Sequence, residues 1–142
     1  MVFNFLKKNT KIMSNNSILI SKTASLLIHA AKIDQNYSSK ERDIIKKTMI
    51  ELGAEISSLD ELMKNAEINE DESNQILDFT QELKNAEDEY KIKIVEALWT
   101  IIFSDKDADM YETNLMRRLS GLLYIDNKTM GDIKEKIKNE NL

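Results

Sequence analysis

A strongly apolar stretch of the chain reads YKIKIVEALWTIIF and covers residues 90–103. Its apolar residues recur at intervals of three and four, which is the period of an α-helix. So many apolar positions are typical of a helix that lies inside a bundle rather than at its edge. We predict that this stretch forms the central helix, with Tyr90, Ile92, Ile94, Val95, Leu98, Trp99 and Ile102 inward.

Six other stretches have the same period, and none alternates with the period of two that a half-buried strand requires. Their predicted ranges are 17–33, 38–52, 59–66, 76–83, 115–123 and 128–138. The chain has 142 residues, no proline and three glycines, so it lacks the turn residues on which sandwiches and barrels depend. The sequence therefore predicts an all-α bundle of about seven helices. It is long enough to form one core without covalent staples.

Composition excludes several classes of function. The chain has no cysteine, which rules out disulfides, thiolate catalysis and iron–sulfur clusters. Its formal net charge is −5, so no whole-surface attraction to nucleic acid is expected, and nucleic acid is not a predicted partner. No stretch is long and apolar enough for a signal sequence or a membrane span, and we expect a cytoplasmic protein.

The first residues differ from the rest in composition. Residues 9–17 are polar and predict a linker, so we divide the chain into a flexible basic and apolar tail, 1–16, and a helical domain, 17–142. The predicted domain begins with Ser17 as the N-cap of its first helix. Four apolar residues and three lysines within residues 2–11 suit at most a weak peripheral contact with the inner face of the membrane.

Two segments of the chain align when the sequence is shifted by 71 residues. DQNYSSKE at 34–41 then lies over DKDADMYE at 105–112, with oxygen-bearing side chains at the same four positions of each. Downstream, Lys46-Lys47 lies over Arg117-Arg118, and Leu52 lies over Leu123. Each copy consists of an apolar helix, an acidic loop and an amphipathic helix, which predicts a pseudo-symmetric bundle of two halves.

These segments resemble the two halves of the TerB, or tellurite-resistance B-like, helical domain over about residues 18–135. The second segment carries the more specific match, through Glu96, Trp99, Asp105, Tyr111, Glu112 and Arg117-Arg118. The family pattern has a glycine after the first aspartate of each loop, and this chain has Gln35 and Lys106 there. The resemblance implies an all-helical bacterial module linked to tellurite and stress resistance, with a metal-binding acidic cluster. It supplies no reaction.

The acidic loops are the candidate metal site. Side-chain oxygens at alternate positions can converge on one hard cation, as in a calcium loop. If the two halves bring their loops together, carboxylates from both can share one ion. Oxygen donors suit Ca²⁺, Mg²⁺ or Mn²⁺ rather than zinc or copper. The predicted ligands are Asp34, Glu41, Asp105, Asp107, Asp109 and Glu112.

The same residues have a second explanation. Ser38-x-x-Glu41 and Asp109-x-x-Glu112 both match a capping box, in which the glutamate accepts from the N-cap amide. Capping accounts for both glutamates without any metal, but it does not account for Asp34, Asp105 or Asp107. The sequence leaves the two explanations open.

The residues support a non-enzymatic, cation-binding module that docks protein partners. A metal-dependent hydrolase that activates water at the carboxylates is the alternative, and a membrane-surface adaptor is a third interpretation. A hydrolase needs a base beside the cluster, and His29 is the one histidine of the chain. His29 is expected to be a surface or hydrogen-bonded residue of the first helix, and Trp99, Tyr111 and Tyr124 are expected in or beside the core.

Overall fold

The described part of the chain folds into seven α-helices and contains no strand. The computed structural model describes residues 2–33, 37–73, 75–104 and 110–140, and for residues 2–16, 110 and 111 it describes the backbone alone. The helices are α1 (Val2–Ala31), α2 (Ser39–Glu51), α3 (Leu59–Ser73), α4 (Leu77–Thr80), α5 (Asp88–Phe103), α6 (Met110–Leu122) and α7 (Asn127–Glu140). Two short 3₁₀ turns, Ile56–Ser58 and Leu83–Asn85, precede α3 and α5. The predicted all-α bundle is confirmed.

Two helices form the centre of the bundle. α5 packs against α1, α2 and α7, and the second half of α1 packs against α2, α3, α4 and α5. Ile94, Leu98 and Ile102 of α5 are almost completely buried, because three of its sides face other helices. The predicted central helix is therefore confirmed, with α1 as its partner.

The repeat is visible in the helix boundaries themselves. Both bounds of α6 lie 71 residues after those of α2. Ile56 is the first residue of the 3₁₀ turn that leads into α3. The same shift places Ile56 at Asn127, the first residue of α7. α1 packs on α3 as α5 packs on α7. The repeat thus extends beyond the segments whose sequences align, and relates residues 17–69 to residues 88–140.

Both halves end their second helix with the same hydrogen-bond pattern. The Ala54 amide donates to the Met49 carbonyl at 2.9 Å, and the Ile125 amide donates to the Ser120 carbonyl at 2.9 Å. These bonds belong to Schellman motifs, which place the residue after the C-cap in the left-handed region. That residue is Gly53 with φ +110° in the first half and Tyr124 with φ 57° in the second. The predicted glycine stop of α2 is confirmed.

The first helix corrects one prediction. α1 runs without a break from Val2, so residues 9–17 are helical and neither the predicted linker nor the helix start at Ser17 is present. Asn, Thr and Ser lower helix propensity by well under 1 kcal/mol each, and this segment has no glycine or proline to stop a helix. The division into a tail, 1–16, and a domain, 17–142, stays a prediction.

The region between α3 and α5 also differs from expectation. The predicted fourth helix, 76–83, is a single turn, α4, followed by the 3₁₀ turn at 83–85. Phe79 and Leu83 are buried as predicted, but Leu77 is 45% exposed and Ile92 of α5 is 36% exposed. One helical turn offers too few positions for a full apolar face, so fewer side chains of α4 point into the core than the sequence pattern suggests.

Candidate functional site

The six predicted ligands divide into two groups. Asp34, Asp105, Asp107 and Asp109 lie outside the described residues, as do Gln35 and Lys106 at the family's glycine position. Glu41 and Glu112 are described, and both are buried in the first turns of α2 and α6. Buried carboxylates are rare without partners, so both positions carry a structural or functional task.

Glu41 belongs to a complete capping box. The Ser38 amide donates to Glu41 Oε1 at 3.0 Å, and the Ser38 hydroxyl donates to the same oxygen at 3.1 Å. In return the Glu41 amide donates to Ser38 Oγ at 3.3 Å. These bonds satisfy amides that the first helical turn would otherwise leave unpaired. The capping explanation is therefore confirmed for Ser38 and Glu41.

Glu112 occupies the equivalent position of the second half. It lies 71 residues after Glu41 and is 7% exposed, against 2% for Glu41. Its predicted capping partner, Asp109, lies outside the described residues. The two halves therefore present a buried first-turn glutamate each, directly after an acidic loop.

One described contact joins the parts of the chain that border the two acidic segments. Lys40, in the first turn of α2, donates from its ammonium to the carbonyl of Ser104, which follows α5 and precedes the second acidic segment, at 3.2 Å. α2 and α5 pack together in the bundle. The first turn of α2 is therefore within the reach of a lysine side chain from the end of α5.

Of the predicted metal ligands, the described ranges contain Glu41 in the first turn of α2 and Glu112 in the first turn of α6. No group of three or more His, Asp or Glu side chains converges within these ranges. Two of the six predicted ligands are insufficient for Ca²⁺, which takes six to eight oxygens. The donors present nevertheless fit a hard cation, because they are carboxylates.

His29 lies in a different polar cluster, on the face of α1 that meets α3. Its Nδ1 is 3.7 Å from Glu70 Oε2, and Lys32 Nζ is 3.0 Å from Glu70 Oε1. The side chain of Glu70 is 4% exposed. Burial alone would lower the pKa of Lys32, but the hydrogen bonds and charges of Glu70 and Asp71 outweigh it and raise that pKa. Glu70 was not predicted as a functional residue. The one feature of the sequence that could have indicated it is its place beside a buried face of α3.

The three predicted core aromatics have different surroundings. Trp99 is 3% exposed, so it lies in the core as predicted. It stacks on Phe103, with ring centroids 5.5 Å apart. The side chain of Tyr111 lies outside the described residues. Tyr124 contradicts its prediction, because it is 67% exposed with Lys91 Nζ 5.8 Å from its ring centroid. The left-handed backbone at Tyr124 turns its side chain away from the core that Leu123 enters.

Comparison with known proteins gives one result. The family model described as "Tellurite resistance protein TerB" matches residues 21–135. No curated protein and no solved structure matches the chain. The matched range includes both acidic loops and both Schellman motifs, and it begins inside α1. Among the described residues, no helix has the length and apolarity to cross a membrane.

Proposed function

The chain belongs to the TerB family, and on that premise we propose that it is a non-enzymatic module binding a hard divalent cation where its two acidic loops meet. The bound Ca²⁺, Mg²⁺ or Mn²⁺ controls the docking of protein partners. The family description names tellurite resistance, and we propose that setting, or resistance to other metals or general stress, for this chain. We assign the protein to the cytoplasm, with any contact at the membrane weak and peripheral.

The contact between Lys40 and Ser104 carries this proposal. Ca²⁺ takes six to eight oxygens, so carboxylates from both loops complete its ligand shell more fully than the two of the first loop or the four of the second do alone. Because the Lys40 ammonium reaches the Ser104 carbonyl at 3.2 Å, the first turn of α2 lies within one side-chain length of the end of α5, which supports a site that draws ligands from both loops. A shared site also explains why both halves keep an acidic loop and a buried glutamate at the same register.

Electrostatic repulsion gives the loops a reason to hold a cation. Asp105, Asp107, Asp109 and Glu112 are four carboxylates within eight residues. Like charges this close raise the free energy of the folded chain unless protons or a cation compensate them. A ligand that binds only the folded state stabilises it by RT ln(1 + [L]/Kd), about 2.7 kcal/mol at a hundredfold excess over Kd. Ca²⁺ should therefore raise the melting temperature.

The non-enzymatic assignment draws support from His29. A metal-dependent hydrolase places a base within hydrogen-bond reach of the metal-bound water. The described partners of His29 are Glu70 on α3 and Phe79 on α4, whose ring centroid is 5.8 Å from that of the imidazole. Phosphoester hydrolysis that requires both Mn²⁺ and His29 would contradict this assignment.

Calorimetric titration of the full chain with Ca²⁺, Mg²⁺ and Mn²⁺ tests the cation. We expect saturable binding of modest affinity, with a Kd on the order of 10⁻⁴ to 10⁻³ M. A calcium-binding EF-hand loop has glycine at its sixth position and glutamate at its twelfth, and this chain has Ser39 and Ile45 there in the first half and Met110 and Met116 in the second. Asp105→Asn should weaken binding about tenfold, since it removes a full charge from the richer loop. Asn36→Ala, in the poorer loop, is the matched control and should change binding less. If none of the three ions gives a heat of binding, the proposed cation site is wrong.

A further inference from the structure

A small cavity lies among α5, α6 and α7 in the second half. Its volume is about 160 Å³, and its lining includes Trp99, Arg117, Ser120, Asn127, Gly131 and Lys134. None of the described residues that line it is acidic, although the chain as a whole is. The size suits a small anion or a single acidic group, because pockets for drug-sized ligands begin at about 300 Å³.

The repeat shows what the cavity lacks. In the first half Lys46 Nζ lies 3.3 Å from Asp60 Oδ1. The 71-residue shift carries Lys46 onto Arg117 and Asp60 onto Gly131. Both of those residues line the cavity. The second half therefore keeps the positively charged side chain but has no carboxylate at the paired position. A Cβ added at Gly131 would meet nothing within 4 Å, so the space is open where the carboxylate of the first half would be attached.

Three donors border this space: the exposed guanidinium of Arg117, the half-buried ammonium of Lys134 and the indole N–H of the buried Trp99. Within the described part of the chain, neither Arg117 nor Lys134 has a carboxylate partner. Lys134 Nζ lies instead 5.3 Å from the centroid of the Trp99 ring. The Nε1 of Trp99 is buried and, among the described residues, has no hydrogen-bond acceptor. An unsatisfied buried donor costs about 1–3 kcal/mol, so a ligand that relieves any part of this deficit gains affinity.

The first half has no such deficit at the corresponding positions. Ser120 and Lys134 correspond to Met49 and Met63, both completely buried, and Trp99 corresponds to Ile28. Methionine side chains fill irregular space and need no acceptor. The second half has exchanged this apolar filling for hydroxyl, ammonium and indole donors around an unoccupied volume.

We propose that this cavity is an anion site, which binds a carboxylate or a small oxyanion between Arg117 and Lys134. The group takes the place that Asp60 holds beside Lys46 in the first half. Guanidinium binds carboxylates and oxyanions through paired N–H donors, and Lys134 adds a second positive charge. The source of the anion is either a free small ion or an acidic side chain of a protein partner.

The single tryptophan of the chain makes the site directly observable. Trp99 emission of the full chain is titrated at constant ionic strength, after a chelating resin has removed divalent cations from protein and buffers. The probes are sodium sulfate, sodium acetate and an N-acetylated, C-amidated tri-glutamate peptide. We expect a saturable change. Response to sulfate or acetate identifies a free ion as sufficient, and response to the peptide alone identifies a partner side chain. If none of the probes gives saturation, the proposal is overturned.

Matched variants decide whether the signal comes from this cavity. Arg117→Gln should weaken binding about tenfold, whereas Lys46→Gln, at the paired position of the first half, should leave it unchanged. Equal affinity in wild type and Arg117→Gln overturns the proposal. The removal of divalent cations before all titrations separates this result from the fate of the cation proposal.

A substitution that supplies the missing carboxylate gives an independent test. Gly131→Asp restores the residue that the first half has at this position, and it should abolish binding of the probes. Gly131→Asn has the same shape without the charge and should still bind within about threefold of wild type. We also expect Gly131→Asp to melt at a higher temperature than Gly131→Asn. Binding that survives in Gly131→Asp, or is lost equally in both variants, contradicts the site.

Discussion

The two halves of the molecule share a backbone and differ in what they place between their second and third helices. In residues 17–73, Met49 and Met63 seal this space and Asp60 pairs with Lys46. In residues 88–140 the corresponding positions carry Ser120, Lys134 and Gly131, and a cavity remains. A repeat can therefore keep the bounds of its second helix to the residue while a few substitutions give one copy a site. The sequence features that both halves retain determine the shared backbone, and the substitutions that distinguish the halves determine the chemistry of the cavity.

The largest expected difference lies in the polar cluster of the first half. Lys32 pairs with the buried Glu70, whereas the position equivalent to Lys32 in the second half is Phe103. Lys32→Met leaves a buried carboxylate without its ammonium and should cost about 2 kcal/mol of unfolding free energy, since the pair is only partly screened. Lys46→Met is the control, because its partner Asp60 is 83% exposed and such pairs contribute under about 1 kcal/mol. Urea unfolding of both variants measures the difference, and equal losses would contradict the account.

The pair with Glu70 also predicts a pH dependence. The pKa of Lys32 is raised in the folded chain above 10.5, so its stabilising effect is complete below that pH. The effect is lost as the pH rises through the folded-state pKa. The stability difference between wild type and Lys32→Met should therefore be constant from pH 7 to 9 and shrink above pH 10.5. A difference that grows at high pH would have the wrong sign for this pair.

The two Schellman motifs predict opposite effects from reciprocal substitutions. Gly53→Ala places a Cβ in the left-handed region and should destabilise by about 1 kcal/mol. Tyr124→Gly removes one from that region and should stabilise by up to about 1 kcal/mol, less what the cation–π contact with Lys91 contributes. Thermal midpoints of the two variants measured against wild type test both signs. Destabilisation by Tyr124→Gly would mean that the exposed ring contributes more than the backbone strain costs.

The smallest effect is expected from the first residues of α1. Residues 1–15 precede both the repeat and the family match. Deleting them should change the thermal midpoint by less than about 2 °C, because the helix interior that packs in the bundle begins near Leu19. A loss of several degrees would show that Val2, Phe3, Phe5 or Leu6 packs against the bundle.

Local signals with a single physical cause were predictable. Ser38 and Glu41 form the capping box that their spacing indicates, and Gly53 ends α2 because few other residues adopt its φ without strain. The central position of α5 followed from apolar residues on most of its circumference. The repeat predicted an amphipathic helix equivalent to α2 in the second half; α6 matches α2 at both ends, although it begins at Met110 rather than at the predicted residue 115.

Features that depend on tertiary context were not predictable from one sequence. Asn15, Asn16 and Ser17 weaken a helix only slightly, so their polar character suggested a linker where α1 continues. Tyr124 adopts a conformation that its residue type disfavours, because the Schellman motif of the repeat fixes it. Glu70 and the cavity beside Trp99 exist only after distant helices meet. Of the candidate metal site, the structure describes Glu41 and Glu112, and the remaining ligands stay predictions.

The central claim is that one cation is shared by both loops, and a double-mutant cycle tests it. Glu41→Gln, Glu112→Gln and the double variant are melted with and without Ca²⁺. Glutamine can replace glutamate in a capping box, so we expect little change without Ca²⁺. With Ca²⁺, each single variant should lose most of the rise in melting temperature, and the double variant should lose little more, because both carboxylates serve one ion. A calcium-induced rise that both single variants retain in full would contradict the shared site.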